Sequence, residues 1–473
     1  MLYLLNSLSS VVISMTKKSI FIFRRDFRLE DNLGLLHALE NSETVLPVFI
    51  FDPRQIDPAK NEYFSAPAFN FLLNSLSELD AALKNRGSRL YIYEGVACDV
   101  LETLITQEDI EAVHVNKDYT PFSRTRDKEM ADVCNAAGVV FERHDDCALA
   151  PLEDIRTNQG KLYTVFTPFM KKAATHDVLE PIKNNFSNYY KGDTATPTVS
   201  LSSYKADVSR YELPLAGGRE EALEILRENQ YLQSYDDRRN IPSEHGTSRL
   251  SAHHKFGTIS IRETYHMVKS APGNNDSFVS ELYWRDFYFY IAYHFPIVFK
   301  QAFLPWANNI SWINDEAQFK AWCDGKTGVP MVDAGMRELN QTGWIHNRSR
   351  MIVASYLTKN LLISWQWGEK YFAQNLIDYD PCANNGGWQW SASTGADPRP
   401  LRIFNPYTQA EKFDAEATYI KKWVPELRDL DAKTLTDGKT QDFSELVADY
   451  PSPLIDQRES FHRAMQTYKD AKK

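Results

Sequence analysis

The chain has 473 residues, of which 43% are hydrophobic and 25% are charged, a composition typical of a folded globular protein with two or three domains. Its formal net charge of -10 excludes nucleic-acid binding through overall charge alone, so any such contact requires a local basic patch. The five cysteines lie far apart without a CxxC pair, which favours a reducing compartment and predicts no structural zinc.

The amino-terminal stretch MLYLLNSLSSVVIS is apolar, but it lacks the basic start and the cleavage site of a signal peptide. It is also too short to span a bilayer. We interpret residues 1–17 as a disordered leader, or as sequence upstream of a start at Met15. Because no other run resembles a membrane helix, we expect a cytoplasmic protein without membrane contact. We also expect a monomer, associated with the nucleoid if the source is a prokaryote.

Strand and helix patterns alternate five times between residues 18 and 145. The strand patterns are the apolar runs SIFIF, VLPVFIF, RLYIYEG, IEAVHVN and VVFERHD, and helical patterns separate them. This order predicts an α/β domain with a doubly wound, Rossmann-like parallel sheet. The turn after the first strand, RRDFRLEDN, has no glycine, and the chain has no P-loop motif. Both features argue against NAD binding of the usual kind and against a P-loop enzyme.

The composition changes after the fifth strand pattern. Residues 146–215 are rich in Ser, Thr, Pro and Gly, which predicts a long interdomain linker. Residues 216–473 show helical patterns and no convincing strand. The expected fold is therefore an α/β domain over residues 18–145, the linker, and an all-α domain.

All ten Trp residues lie in the helical part, and nine of them fall between Trp284 and Trp390. A large helical core that uses Trp as filler explains any single one. The whole set also fits a stacking surface for bases or for a planar cofactor, or a relay for single electrons. Composition leaves these alternatives open.

The segment TSRLS, from Thr247 to Ser251, places hydroxyl groups just before a helical pattern. Such residues cap helices, and the free N–H groups of a helix N-terminus attract anions. With Arg238, Arg239 and Arg249 nearby, the segment fits a site for a phosphate-bearing ligand. It also fits a plain capped helix.

The segment ELYWRDFY brings four side chains to one helix face, at Glu281, Trp284, Arg285 and Tyr288. A carboxylate, an indole and a guanidinium suit the wall of a pocket for a planar group with hydrogen-bonding edges. The alternative is a solvated face with a half-buried Trp.

In the segment HNRSRM, helical spacing puts Asn347, Arg350 and Met351 on one face and turns Arg348 aside. An Asn amide can read a hydrogen-bonding edge, and Met packs adaptably on an aromatic ring. This pattern by itself assigns no ligand.

The segment LIDYDPCANNGGWQW combines carboxylates, amides, glycines and tryptophans. Gly386 and Gly387 predict either a close backbone approach to a flat group or an unusual turn. Metal binding by Asp378 and Asp380 is poorly supported, since no His cluster lies nearby in the sequence. Acceptance from ligand N–H groups, or pairing with Arg350, fits better.

The segments GTSRLSAHHKFGTISIRE, ELYWRDFY, KTGVPMVDAGMRELNQTGWIHNRSRM and LIDYDPCANNGGWQWSASTGADPRPLRIFNP together resemble the photolyase/cryptochrome family, and FRRDFRLEDNLGLLHAL resembles its first strand and helix. The resemblance spans about residues 18–430 and is closest to class I photolyases of cyclobutane pyrimidine dimers. It implies an α/β antenna domain, a helical FAD-binding domain, and a carbon–carbon lyase that acts on UV-damaged DNA. Reduced FAD, excited by blue or near-ultraviolet light, would pass an electron to a flipped-out dimer, which then splits.

By motif, the resemblance assigns the FAD phosphates and ribityl chain to one group of residues: Tyr235, Thr247, Ser248, Leu250 and Ser251. It places Asp378 and Asp380 at the isoalloxazine edge and sugar region, with Arg350 paired to Asp378. Asn384 would face flavin N5, and an Asn cannot ionise, which favours the anionic reduced flavin. Photolyases resemble the chain at this position, whereas plant and insect cryptochromes typically carry Asp or Cys.

The same resemblance places Glu281, Trp284, Asn347, Met351 and Trp390 around the dimer. Trp284 and Trp390 would stack on it, and Glu281 would hydrogen-bond a pyrimidine edge. Asn347 and Met351 favour the cyclobutane dimer, because (6-4) photolyases carry His at both positions to donate a proton. The expected catalytic set is Glu281, Asn347, Met351 and Asn384. Further DNA contacts would come from Arg239, Arg285, Arg348 and Arg402.

The photoreduction relay implied by GGWQW, ISWQWG and ISWIND consists of Trp388, Trp365 and Trp312, with Trp367 as an alternative to Trp365. Folate-binding members of the family have an Asn-Glu pair after the fourth strand, where this chain has Phe122 and Ser123. A folate antenna is therefore disfavoured, while a deazaflavin, a second flavin or an empty antenna site stay open.

The main alternative function is a cryptochrome-type blue-light photoreceptor. Such a receptor would often carry a long signalling tail, and this chain ends about 70 residues after RIFNP without low-complexity sequence. A single-strand-specific nucleic-acid binder is a third reading, disfavoured by the acidic total charge. Acidic and basic residues nearly balance between residues 235 and 410, where a local basic surface is feasible.

Overall fold

The computed structural model describes residues 15–273, 275–398 and 401–473. Residues 1–14, which hold most of the predicted leader, lie outside the described residues. The first strand already begins at Thr16, inside the segment 1–17. No helix in the described ranges is both long enough and apolar enough to cross a membrane.

The amino-terminal domain is built on a sheet whose five described strands are all parallel. In chain order they are β1 (Thr16–Phe23), β2 (Ser42–Phe51), β3 (Tyr91–Glu94), β4 (Ala112–Asn116) and β5 (Val140–His144). Their order across the sheet is β3-β2-β1-β4-β5, so the chain winds outwards from β1 in both directions. The predicted doubly wound parallel sheet is therefore confirmed.

Helices cover both faces of this sheet, which is why its central strands are apolar on both sides. They are α1 (Leu33–Asn41), α2 (Pro53–Ile56), α3 (Ala66–Asn85), α4 (Ala97–Gln107) and α5 (Pro121–Ala137). Helix α1 begins after Asn32, whose side chain accepts the N–H of Leu35 at 3.2 Å. Gly34 brings α1 close to the sheet, because a Cβ there would lie 2.5 Å from Asn116 Oδ1.

Most of the chain between residues 145 and 218 has no regular structure, apart from α6 (Phe166–Ala173) and a short 3₁₀ turn. This segment runs back along the first domain. Tyr189 forms a parallel bridge with Val45 of β2, and Asn188 donates to the carbonyl oxygen of Ser42 at 2.8 Å. The connection is therefore packed against the α/β domain, and the division of the chain at residues 145 and 215 stays a prediction.

The rest of the described chain is helical, as predicted. Its α-helices are α7 (Arg219–Arg227), α8 (Tyr235–Arg238), α9 (Ser251–Phe256), α10 (Ile261–Ser270), α11 (Asp276–His294), α12 (Glu316–Cys323), α13 (Pro330–Thr342), α14 (Asn347–Ser355), α15 (Trp365–Asn375), α16 (Pro381–Ser391), α17 (Pro406–Phe413), α18 (Thr418–Trp423), α19 (Ala432–Thr436) and α20 (Gln457–Asp470). The core between α12, α14, α15 and α16 contains the fully buried Trp322, which donates its indole N–H to the Val353 carbonyl at 3.1 Å.

The loop RRDFRLEDN after β1 joins the two domains. Arg28 forms a buried ion pair with Asp146 at 2.7 Å, and Arg25 donates to Asp380 at the start of α16. Gly257, after α9, packs closely here, because a Cβ on it would lie 2.3 Å from the Arg25 carbonyl oxygen. Removing one partner of a buried ion pair costs about 3–5 kcal/mol. A loop without the glycines of a nucleotide-binding turn thus fixes the helical domain against the sheet.

Candidate functional site

A cavity of about 560 Å³ opens in the helical domain among α8, α9, α11, α14 and α16. This volume lies in the usual range of ligand and cofactor sites. Most of the predicted site residues line it: Tyr235, Arg239, Thr247, Ser248, Leu250, Ser251, Glu281, Trp284, Arg285, Asn347, Arg348, Arg350, Met351, Asp378, Asp380, Asn384, Trp388 and Trp390. Residues from five separate segments of sequence are thus brought to one place. Trp312, Trp365 and Arg402 lie outside this wall.

Asp378 and Arg350 form the ion pair that the resemblance implied. Arg350 Nη2 donates to Asp378 Oδ2 at 2.8 Å, and Arg350 Nε donates to the Ile345 carbonyl at 2.8 Å. The other carboxylate oxygen, Asp378 Oδ1, is buried and has no hydrogen-bond partner in the described part of the chain. Buried acceptors are almost always paired with a donor. Since Asp378 lines the cavity, this oxygen can accept an N–H group of a bound ligand.

Asp380 uses both carboxylate oxygens within the protein. Its Oδ1 caps α16 by accepting the N–H groups of Cys382 at 2.9 Å and Ala383 at 3.0 Å, and its Oδ2 accepts from Arg25. Burial raises the pKa of Asp380, but the charges of Arg25 and Lys255 outweigh it and hold that pKa below its ordinary value. Asp380 is therefore a fixed anion that positions α16 at the cavity wall.

Asn384 lies in the second turn of α16 and donates its Nδ2 to the Glu369 carbonyl at 2.9 Å. Its neighbour Asn385 donates to the Glu369 carboxylate at 2.9 Å, while burial raises the pKa of Glu369 to about 7. Because the amide nitrogen of Asn384 is the donor, its Oδ1 is the acceptor end of the side chain. Asn384 lines the cavity and can therefore offer an acceptor to a ring N–H.

Gly386 and Gly387 lie inside α16, so the alternative of an unusual turn was wrong. A Cβ on Gly386 would lie 2.1 Å from Tyr288 Cδ1, so this glycine lets α16 pack against α11. Gly387 lines the cavity, and nothing lies within 4 Å of a Cβ placed on it. The helix also explains why Trp388 and Trp390 point in different directions, since positions two apart on a helix differ by about 200°.

Helix α11 supplies another wall, and the four side chains predicted to share one face all line the cavity. Glu281 accepts from Arg239 Nη1 at 2.7 Å, which links α11 to α8. Burial raises the pKa of Glu281, and the charge of Arg239 opposes that shift. This carboxylate therefore already has one cationic partner at the cavity wall.

Trp284 of α11 has one covered face. Its ring stacks on Phe166 of α6, with centroids 3.8 Å apart and planes 10° apart. Phe166 therefore sets the orientation of the indole and leaves one face for a ligand. Next to it, the Arg285 guanidinium donates to the carbonyl oxygens of Cys147 and His254, the latter at 3.2 Å. Arg285 thus lines the cavity while it is held by backbone contacts.

The segment before α9 supplies polar groups and positive charge. Arg249 has a left-handed backbone, with φ of 57°, and its guanidinium lies 4.7 Å from the centre of the Trp344 ring. Lys255 of α9 also lines the cavity, and burial together with the charge of Arg25 lowers its pKa to about 8. Arg249 and Lys255 therefore supply positive charge for the phosphate-bearing ligand that we predicted from the TSRLS segment.

A second cavity of about 320 Å³ adjoins the first, and both are lined by Arg348, Met351, Trp390 and Ser391. Those four residues therefore stand at the junction of the two cavities. The indole N–H of Trp390 is buried there without a hydrogen-bond partner in the described ranges. The second cavity also contains basic side chains: Lys359, Arg402 and Lys412.

The helical-face prediction placed Arg348 on a different face from Asn347 and Met351, and the structure corrects this prediction. It lies in the first turn of α14, donates to Asn240 Oδ1 at 2.6 Å, and lines both cavities. A long side chain at a helix end can bend back to a face that its Cβ does not point to. Arg402, predicted as a further DNA contact, lines the second cavity.

Comparison with known proteins identifies the family. Residues 19–185 match the family model for DNA photolyase, and residues 278–470 match that for the FAD binding domain of DNA photolyase. A deoxyribodipyrimidine photo-lyase of Synechococcus sp. is 38% identical over 468 residues, which cover 92% of this chain and 93% of that protein. The chain belongs to the DNA photolyase family.

Solved structures of this family share the whole fold. An archaeal photolyase from Sulfolobus tokodaii, solved with two FAD molecules, is 42% identical with a TM-score of 0.85, covering 96% of this chain and 100% of that chain. A cryptochrome from Synechocystis sp. is 27% identical with a TM-score of 0.86, covering 96% and 99% of the two chains. The fold alone therefore does not separate a photolyase from a cryptochrome, and the site residues must do so.

The cavity of this photolyase-family chain fits FAD. The buried Asp378 Oδ1 needs a donor, and Asn384, which lines the same cavity, offers an acceptor. Gly387 leaves open space at that wall, where a flat ring system can approach the backbone. The residues present therefore agree with the cofactor of the family.

The predicted relay residues differ in burial. Trp388 lines the cavity and is 3% exposed, Trp365 at the start of α15 is also 3% exposed, and Trp312 is half-buried. All three pack against one hydrophobic core. Trp367 is half-buried and lies 5.1 Å from Phe319, so it stands nearer the surface than Trp365. This burial order favours Trp365 as the middle residue.

Several site residues were missed from the sequence. Arg25 and Phe166 come from outside the helical domain. Lys255 and Trp344 lie inside two of the segments that resemble the family, but neither was given a role there. Trp322 belongs to the core beside the cavity. Trp322 lies beside Trp388, with ring centroids 6.0 Å apart. For Arg25, the glycine-free RRDFRLEDN loop was the available signal. For Phe166, no local pattern points to the cavity.

Proposed function

We propose that the protein is a light-dependent DNA repair enzyme that splits cyclobutane pyrimidine dimers. One observation carries the proposal: a single cavity is lined both by the residues suited to a flavin and by those suited to a flipped-out pyrimidine dimer. Asp378, Asn384 and Trp388 belong to the first group, while Glu281 and Met351 belong to the second. Close proximity of the two groups is what electron transfer between a flavin and a dimer requires.

FAD, when bound and reduced, supplies the electron donor that light excites. The chain's own residues bind and orient it. Asp378, held by Arg350, would accept a ring N–H, and Asn384 would offer its Oδ1 to another. Thr247, Ser248 and the nearby cations would bind the phosphates. Because Asn384 does not titrate, it holds this side of the ring without exchanging a proton.

The dimer would enter through the junction of the two cavities. Trp390 lies there with a buried indole N–H that has no hydrogen-bond partner among the described residues, and Trp284 presents its uncovered face. Aromatic stacking contributes about 1–3 kcal/mol per base. Flipping costs least for a damaged and poorly stacked pair, which adds selectivity. Arg348 and Arg402 would contact the phosphates around the lesion.

The lesion class follows from Asn347 and Met351. Neither side chain can donate a proton as an acid, so the site supports the cyclobutane dimer, which splits without one, over a lesion that needs an imidazolium. Glu281, paired with Arg239, would accept from the pyrimidine edge. Supply of electrons from the surface would pass through Trp312 and Trp365 to Trp388.

The proposal includes a second, light-harvesting chromophore. The S. tokodaii photolyase is described as carrying two FAD molecules, with the implication of a novel light-harvesting cofactor. At 42% identity, that relative supports a second flavin among the candidates that the sequence left open. All five cysteines are free, which supports a reducing, cytoplasmic compartment. We also keep the expectation of a monomer.

Lesion selectivity tests this function. The FAD-loaded protein, reduced with dithionite, is illuminated with oligonucleotides that contain a cyclobutane thymine dimer, a (6-4) lesion or no lesion. We expect recovery of base absorbance with the cyclobutane dimer alone. Recovery with the (6-4) lesion would overturn the lesion assignment. No recovery with any substrate, while FAD stays bound and reduced, would favour the cryptochrome-type photoreceptor.

A further inference from the structure

Four side chains with metal-binding atoms meet on one face of the sheet in the amino-terminal domain: His37 of α1, His114 of β4, and Glu142 and His144 of β5. None of them lines the FAD cavity. His114 and Glu142 are direct partners across the two parallel strands. Glu142 and His144 share a face because they lie two residues apart on one strand. The sheet register alone therefore places three of the four ligands together.

Helix α1 brings the fourth. Gly34 lies three residues before His37 on the same helix face, and a Cβ on Gly34 would lie 3.1 Å from His144 Cδ2. This close approach lowers α1 onto β4 and β5. As a result, the His37 ring centre lies 4.7 Å from that of His144 and 5.7 Å from that of His114. The contact of the helix with the sheet thus completes the cluster.

Four of the six distances between the ligand atoms lie near the edge length of a coordination tetrahedron. One nitrogen of each imidazole and one carboxylate oxygen all lie within 4.8 Å of one another. Glu142 Oε2 lies 3.0 Å from His37 Nε2, 3.4 Å from His114 Nδ1 and 3.7 Å from His144 Nε2, and the last two nitrogens are 3.2 Å apart. A tetrahedron with metal–ligand bonds of 2.0–2.1 Å has edges of about 3.3–3.5 Å.

We propose that His37, His114, Glu142 and His144 bind one divalent transition-metal ion, for which zinc is the best match. Three imidazoles and one carboxylate are ligands that zinc accepts in tetrahedral sites. Mg²⁺ and Ca²⁺ prefer sites made of oxygen atoms. Because the protein supplies all four ligands, the ion has a structural role. It ties the edge strand β5 and helix α1 to β4.

The surroundings of the cluster support metal binding. His114 and His144 are 4% and 16% exposed, whereas His37 and Glu142 are 44% and 40% exposed, which gives an ion a route from solvent.

Zinc titration of the full-length, FAD-loaded protein tests the site. The protein is first treated with a chelator and dialysed, and Zn²⁺ binding is then measured by calorimetry. Glu142→Gln and His37→Ala remove half-exposed ligands and should leave the fold intact, as far-UV circular dichroism would verify. His462→Ala, which removes an exposed histidine of α20, is the matched control.

We expect one Zn²⁺ per wild-type chain, at least tenfold weaker binding in Glu142→Gln and His37→Ala, and wild-type binding in His462→Ala. Zinc should also raise the melting temperature of the wild type and not of the two ligand variants. X-ray absorption at the zinc edge should show nitrogen and oxygen neighbours at about 2.0–2.1 Å and no sulfur. Absence of stoichiometric zinc binding, or equal affinity in both ligand variants, would mean that the cluster is held by hydrogen bonds alone and would overturn the proposal.

Discussion

Replacing the two glycines of α16 one at a time should separate protein stability from cofactor binding. Gly387→Ala adds a methyl group that meets nothing within 4 Å. Alanine is favoured over glycine in a helix interior by about 0.5–1 kcal/mol, so the FAD-free variant should gain about that much free energy of unfolding. The methyl group also protrudes into the cavity, and overpacking against the flavin costs about 1–3 kcal/mol. FAD affinity should therefore fall by roughly 5- to 160-fold.

Gly386→Ala is the matched control, because Gly386 does not itself line the cavity and its Cβ would lie 2.1 Å from Tyr288 Cδ1 of α11. Overpacking there outweighs the helix preference, so the FAD-free protein should lose up to about 2 kcal/mol. Urea unfolding of the FAD-free proteins gives the stabilities, and quenching of FAD fluorescence gives the affinities. If Gly387→Ala binds FAD as tightly as the wild type, the flavin does not approach this wall and the assignment of the cavity is refuted.

Three further changes test other parts of the site. Trp388→Phe should slow photoreduction of bound FAD at least tenfold and leave repair by the chemically reduced enzyme unchanged; normal photoreduction, followed by flavin absorbance, would remove Trp388 from the relay. Glu281→Gln should lower the repair yield per absorbed photon while FAD stays bound, and loss of FAD instead would show that Glu281 holds the cofactor. Burial, opposed by Arg285, raises the pKa of Asp286 to about 7. The folded state therefore keeps a proton that the unfolded state has released above about pH 4, and the stability that this group contributes falls as the pH rises towards 7. In urea unfolding, the free energy of unfolding of Asp286→Asn relative to the wild type should therefore rise by up to about 3 kcal/mol between about pH 5 and about pH 8. A difference between the two proteins that does not change with pH would contradict this.

The sheet was predictable from the sequence because its central strands are buried on both faces and have short apolar sequences. The predicted strand patterns all overlap observed strands, and the order of strand and helix leaves few topologies open. The helical domain was predictable as helical, but its packing was not. Its sites depend on which helix faces meet, and helical spacing describes one helix at a time.

The sequence did not predict contacts between residues that are far apart in the chain. Arg25 and Asp380 are 355 positions apart, and the stack of Phe166 on Trp284 joins a connecting segment to the helical domain. No local pattern encodes either contact. The glycine pair was misread in part, because glycine disfavours helices on its own, whereas Gly386 is needed for α16 to pack against Tyr288.

The His cluster of the amino-terminal domain also depends on contacts between residues that are distant in the sequence. The absence of a cysteine motif predicted no zinc site, since cysteine and histidine ligands often come in closely spaced pairs. His37 and His114 are instead separated by two strands and three helices, and only the parallel register of β4 with β5 reveals them as neighbours. Ligand sets built from sheet register leave no short motif.

The wavelength dependence of dimer splitting shows whether the reduced flavin in the cavity drives the repair. The reduced, FAD-loaded protein is mixed with an equimolar oligonucleotide that contains one thymine dimer, and recovery of base absorbance is recorded at each exciting wavelength and in the dark. The action spectrum should follow the absorption of the reduced flavin bound in the cavity, with no recovery in the dark. Dimer splitting in the dark, or none under light that the bound flavin absorbs, would contradict it.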